Sequence, residues 1–85
     1  MSAGNMMLEI LSPEKSLFKG EASHVSVPGS KAPFVILYNH APIISKLDKG
    51  SVVWDGEDGR QSIDIEGGFL EACGNYVTIC IETVK

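Results

Sequence analysis

Glycine and proline interrupt this 85-residue chain so often that the longest stretch free of both runs only from Asn75 to Lys85. Inside a helix glycine costs about 1 kcal/mol and proline about 3 kcal/mol, so a helix of three turns has nowhere else to form. That last stretch alternates instead. Val77, Ile79 and Ile81 fall on one face and Tyr76, Thr78 and Cys80 on the other, the period of two that marks a half-buried strand.

The same period recurs at Val25 and Val27 against His24 and Ser26, and at Ile63 and Ile65 against Ser62, Asp64 and Glu66. Between such runs stand turn signals: Ser12-Pro13-Glu14, Pro28-Gly29-Ser30, Asp48-Lys49-Gly50, Gly56-Glu57-Asp58-Gly59, Gly67-Gly68 and Gly74-Asn75. Short strands with one apolar and one polar face predict an all-β domain, a small antiparallel β-sandwich or flattened barrel of about ten short strands. The expected core is Leu8, Ile10, Leu17, Val25, Val27, Ile36, Ile44, Val52, Ile63, Ile65, Leu70, Val77, Ile79 and Ile81. Residues 1–85 are expected to form one domain, with 1–6 irregular.

Composition excludes several function classes. A hydrophobic content of 44% with 21% charged residues argues against disorder. No apolar run approaches the ~20 residues that span a bilayer, and the N-terminus lacks the pattern of a signal peptide, so no membrane insertion and an intracellular site are expected. The net charge is −4 and the seven Lys and Arg are scattered singly, so no basic stripe exists to replace counterions along a nucleic acid. If Gly74-Asn75 is a two-residue hairpin turn, Cys73 lies opposite Tyr76 and Cys80 opposite Phe69. Both thiols are then expected reduced. Two cysteines at this spacing with distant histidines match no zinc pattern.

No catalytic, cofactor or metal residue is expected. His40 has no orienting partner or nucleophile in a motif around it, and reads as a turn histidine beside Ala41-Pro42. Gly67-Gly68 precedes no helix and so is not a phosphate cradle; it reads as a bend or bulge between Ile65 and Phe69. Alternation sends Asp64 and Glu66 to the outer face, where they and Glu71 read as solvated acids. Lys49 stands in Leu47-Asp48-Lys49-Gly50, and its alternative reading is the modified lysine of a lipoyl or biotinyl carrier domain, held at an exposed hairpin turn. Lys31 sits in a loop stiffened by Pro28 and Pro33, and stiff exposed loops lose little entropy on docking.

The run Leu8-Glu9-Ile10-Leu11-Ser12-Pro13-Glu14-Lys15-Ser16-Leu17-Phe18-Lys19-Gly20, then Val25-Ser26-Val27-Pro28-Gly29-Ser30, His40-Ala41-Pro42-Ile43-Ile44, Leu47-Asp48-Lys49-Gly50 and Glu66-Gly67-Gly68-Phe69-Leu70-Glu71, resembles the epsilon subunit of bacterial F-type ATP synthase. Five pieces in the right order and spacing carry the resemblance, which covers Leu8 to about Glu82. It implies the N-terminal β-sandwich of a rotor part that binds the gamma subunit and rests on the c-subunit ring, at the cytoplasmic face of the inner membrane, with no catalytic residue, cofactor or small-molecule substrate of its own. The implied gamma contact is His40, Ala41, Pro42 and Ile43; the implied c-ring contact is Pro28, Gly29, Ser30, Lys31, Ala32 and Pro33. Exposed apolar residues are expected near Phe34, Tyr38 and Ile43.

Three departures from the family pattern stand out. Where the family reads Gly-Glu-x-Gly-Ile-x-Pro-Gly-His, this chain has Ala32-Pro33-Phe34-Val35-Ile36-Leu37-Tyr38-Asn39-His40, losing glycines and gaining bulk. An acidic residue common in the ring-facing loop is Lys31 here, so a charge pairing carried over from relatives reverses sign. Relatives continue into an inhibitory helical hairpin, whereas this sequence stops at Lys85, so self-inhibition of that kind is expected to be absent.

Overall fold

The computed structural model describes residues 5–38 and 41–82, and every regular element among them is a strand. The eight strands are β1 (Met6–Leu11), β2 (Ser16–Val27), β3 (Phe34–Leu37), β4 (Ile43–Leu47), β5 (Gly50–Gly56), β6 (Gly59–Ile65), β7 (Gly67–Cys73) and β8 (Tyr76–Glu82). They form one sheet in the order β4-β7-β8-β1-β2-β5-β6, with β3 added on β2.

The long β2 joins the two halves. Ala22 pairs with both Met6 of β1 and Gly56 of β5, and Val25 with both Ile36 of β3 and Trp54 of β5. A strand has only two edges, so β1 and β3 occupy one edge in succession and β5 the other. A register shift between Ala22 and His24 places a bulge at Ser23, where a bulged strand bends and twists. The sheet folds over on itself there. One hydrophobic cluster draws on both halves, Leu8, Ile10, Leu70, Val77 and Ile79 from one and Val25, Ile36, Val52 and Ile65 from the other. This is the sandwich that the alternation predicts, left open as a sheet rather than closed as a barrel.

The structure differs from expectation in several places. The described residues hold eight strands rather than about ten, because β2 and its bend do the work of two. One pair is parallel, β1 with β8, so the first and last strands lie side by side in the middle of the order. Within 1–6, Met6 already belongs to β1 and is fully buried. Leu17 is 37% exposed because the register between β1 and β2 slips there, from Ile10 opposite Phe18 to Leu11 opposite Ser16, leaving Leu17 as the extra residue. Ile44 is 81% exposed: Leu47 points inward, so alternation sends Lys46 and Ile44 outward. Ile63 is only partly buried against the core. Met6, Ala22, Leu47, Trp54 and Ala72 fill the remainder, with the rings of Phe18 and Trp54 4.9 Å apart at the end of the cluster.

The Gly74 turn reading holds, whereas Gly67 and Gly68 form no bulge: they open β7 in unbroken register with β8, and the bend falls at Glu66. Gly74 has φ 61°, and the hairpin it opens sets Cys73 opposite Tyr76 and Cys80 opposite Phe69. Both cysteines are free and exposed. Gly68 has φ 156° and packs so tightly on β8 that a Cβ there would run into the Cys80 carbonyl and sit 3.0 Å from the Ile81 Cα.

Candidate docking surface

The segment after β2 is not a free loop. Gly29 bridges to Leu47, the Ser30 amide donates to the Lys46 carbonyl at 3.0 Å, and the Asp48 amide donates to the Pro28 carbonyl at 2.8 Å. These links lace the loop onto β4, the edge strand of the order. Gly29 is required by close approach: a Cβ at that position would lie 2.6 Å from the Ala32 carbonyl and 2.7 Å from the Phe34 ring. Beyond the lacing, Ser30, Lys31, Ala32 and Pro33 stand exposed, while Pro28 and Gly29 are half-buried.

Of the second predicted segment, His40 lies outside the described residues. Ala41 and Pro42 are exposed, and Ile43 is half-buried and packs against the core. The structure brings the two segments together: a single open groove of about 570 Å³ has residues 29–34 on one wall and 43–46 on the other. Sequence reasoning treats them as separate surfaces because pairing between the end of β2 and β4 is non-local.

Exposed apolar residues occur near the expected positions but not always on them. Tyr38 is exposed, whereas Phe34 and Ile43 are half-buried against the core. The larger signals are Ile44 and Phe69 on the outer face of β4 and β7, and Val35 and Leu37 on β3. The doublet Ile43-Ile44 is the clue: a strand can bury only one of two adjacent residues on a given face.

The remaining candidates resolve as surface groups. Lys49 is 77% exposed and 4.0 Å from the Glu66 carboxylate. It lies between β4 and β5, which do not pair with each other, so the hairpin tip that a carrier lysine needs is not there. Asp64 is exposed and accepts a hydrogen bond from the Ser51 hydroxyl at 2.6 Å, and Glu66 and Glu71 are exposed as alternation predicts. Among the described residues no three His, Cys, Asp or Glu converge to hold a metal ion.

The described residues thus form a bent sheet with one loop laced to its edge and apolar side chains facing outward. The chain belongs to the ATP synthase delta/epsilon chain β-sandwich domain family, which it matches over residues 5–85. It is 39% identical over 79 residues to an ATP synthase epsilon chain of Leptospira interrogans, a match covering 93% of this chain and 62% of that one. An epsilon chain of Chlorobium limicola is 38% identical over 79 residues, covering 92% of this chain and 90% of its own. This chain thus spans under two thirds of the Leptospira relative but nearly all of the Chlorobium one. In fold it is similar to chains of the Euglena gracilis mitochondrial ATP synthase (OSCP/F1/c-ring; TM-score 0.84, 16% identity, 95% of this chain and 55% of that one). It is similar also to a chain of the Tetrahymena thermophila mitochondrial ATP synthase central stalk and c-ring (TM-score 0.76, 17% identity, 96% and 66% covered).

Proposed function

We propose that this chain is a non-catalytic central-stalk subunit of a proton-translocating F-type ATP synthase, coupling c-ring rotation to the gamma subunit from the cytoplasmic face of the inner membrane. The 28–33 loop faces the ring and the 40–43 segment faces gamma. The observation that carries this reading is the lacing of Gly29 and Ser30 onto Lys46 and Leu47. A part that transmits torque must not yield between its contacts, and here the backbone of one contact segment is hydrogen-bonded to the strand that begins at the other. The family membership and the central-stalk setting of the Tetrahymena chain support the same reading. So does size: a standard interface takes about 800 Å² from each partner, and the described surface of 5377 Å² leaves room for two.

Lys31 gives the test. It is exposed, and a rim charge acts on association and its salt dependence more than on the bound contact. Reversing it with Lys31→Glu is expected to lower ATP-driven proton pumping of the reconstituted complex several-fold at low salt. The deficit should shrink at ~0.15 M salt, where the screening length falls to about 8 Å. Pumping and salt dependence both equal to wild type would remove the loop from the ring contact.

A further inference from the structure

We propose that the outer face of β2, β3, β5 and β6 carries a binding site for a small monocarboxylic acid with a short apolar body. The site uses none of residues 28–33 or 40–43, so it stands or falls apart from the stalk reading.

Alternation sets this face. Val25, Val27, Ile36, Val52 and Trp54 are buried, so their neighbours His24, Ser26, Val35, Leu37, Val53 and Asp55 point the other way. Pairing then aligns two rows across the four strands, Leu37, His24, Asp55 and Arg60 in one and Val35, Ser26, Val53 and Ser62 in the next. A groove of about 580 Å³ runs along them, bordered by His24, Val35, Val53, Asp55 and Arg60. Sites for small ligands typically measure about 300–1,000 Å³.

The first row is prepared for a carboxylate. Asp55 Oδ1 accepts from Arg60 Nε at 3.1 Å, and Asp55 Oδ2 lies 3.5 Å from His24 Nδ1, which is itself 2.9 Å from the Ser23 hydroxyl. Because Arg60 is held through Nε, its terminal nitrogens keep no partner among the described residues, and neither does His24 Nε2. A guanidinium fork matches a carboxylate with two parallel hydrogen bonds, and a fork already oriented by an acid loses less freedom on binding. The charge count favours a monoanion. Arg60 and Asp55 cancel and His24 adds at most one positive charge, so a phosphate dianion would be left partly uncompensated.

The second row supplies the apolar part. Val35 is 54% exposed and Val53 half-buried, and only Ser26 stands between them in the row. Adjacent strands lie about 4.8 Å apart, so the strip from Val53 to Val35 is about 10 Å long and suits a chain of about five or six carbons. Arg60, on the strand next to Val53, stands at the end of that strip where the carboxylate falls.

Titrating the isotope-labelled full chain with hexanoate, hexanamide, acetate and inorganic phosphate, read from its amide resonances, tests the site. Hexanoate is expected to shift the amides of His24, Val35, Val53 and Arg60 with a Kd of about 1 mM. Hexanamide, which lacks the charge, and acetate, which lacks the chain, should each bind about tenfold more weakly, as should hexanoate to Arg60→Gln. Arg60 is 74% exposed, so that variant keeps the fold. Val35→Ser, also at an exposed position, should weaken hexanoate about threefold. Absence of shifts at these amides, hexanamide binding as tightly as hexanoate, or Arg60→Gln binding within about twofold of wild type would each overturn the proposal. Phosphate binding more tightly than hexanoate would overturn the monocarboxylate assignment.

Discussion

Substituting valine for Gly68 is expected to remove about half of the stability of this domain. A chain of this length has about 4–13 kcal/mol in total at typical per-residue values. The backbone at Gly68 sits at φ 156°, on the side of the map that glycine populates freely and other residues do not. Forcing a branched residue there costs about 1–3 kcal/mol in backbone strain. The new Cβ also meets the Cys80 carbonyl and the Ile81 Cα, which are backbone atoms that cannot swing aside. Overpacking of that kind adds about 1–3 kcal/mol. Because β7 joins the edge strand β4 to β8, the displacement spreads to Leu47, which pairs with Gly68 from the other side. At about 4–8 °C per kcal/mol for a domain this small, the midpoint of thermal unfolding should fall by roughly 15–30 °C. A fall of less than about 5 °C by circular dichroism would show that β7 and β8 are not packed as described.

Gly29→Val is expected to separate docking from folding. Its Cβ would press on the Ala32 carbonyl and the Phe34 ring, so the loop must lift away and the links to Lys46 and Leu47 must break. The core cluster contains Val27 and Leu47 on either side of this point but not the loop itself, so the stability loss should be about 1–3 kcal/mol. Assembly with the ring should suffer far more, by an order of magnitude or greater, because the loop has to be ordered again on binding. Thermal unfolding and recovery of ring components with the tagged chain measure the two effects separately. A variant that loses stability yet recovers the ring in full would show that the lacing does not serve docking.

Much of this was legible from residue order, and the rest fails for identifiable reasons. Alternation in 76–82 and the Gly74-Asn75 turn are local, and they yield the register of β7 with β8 down to Cys80 opposite Phe69. The parallel meeting of β1 with β8 and the double use of β2 are contacts across most of the chain, which no local period encodes. Hydrophobicity alone sends Leu17 and Ile44 inward, and a register slip in one case and the inward pull of Leu47 in the other decide against it. The two proposed contact segments could be named only through the family resemblance. That they share one groove follows only once β4 lies between the loop and β7.

Hydrogen exchange, followed by mass spectrometry on the chain alone and then in complex with gamma and the c ring, tests the central claim most directly. The amides of 29–32, of Ala41 and of Ile43 to Ser45 are predicted to slow markedly on assembly, while the tip of the β5 to β6 turn at Glu57 and Asp58 exchanges as before. Equal exchange at both contact segments with and without the partners would contradict the account.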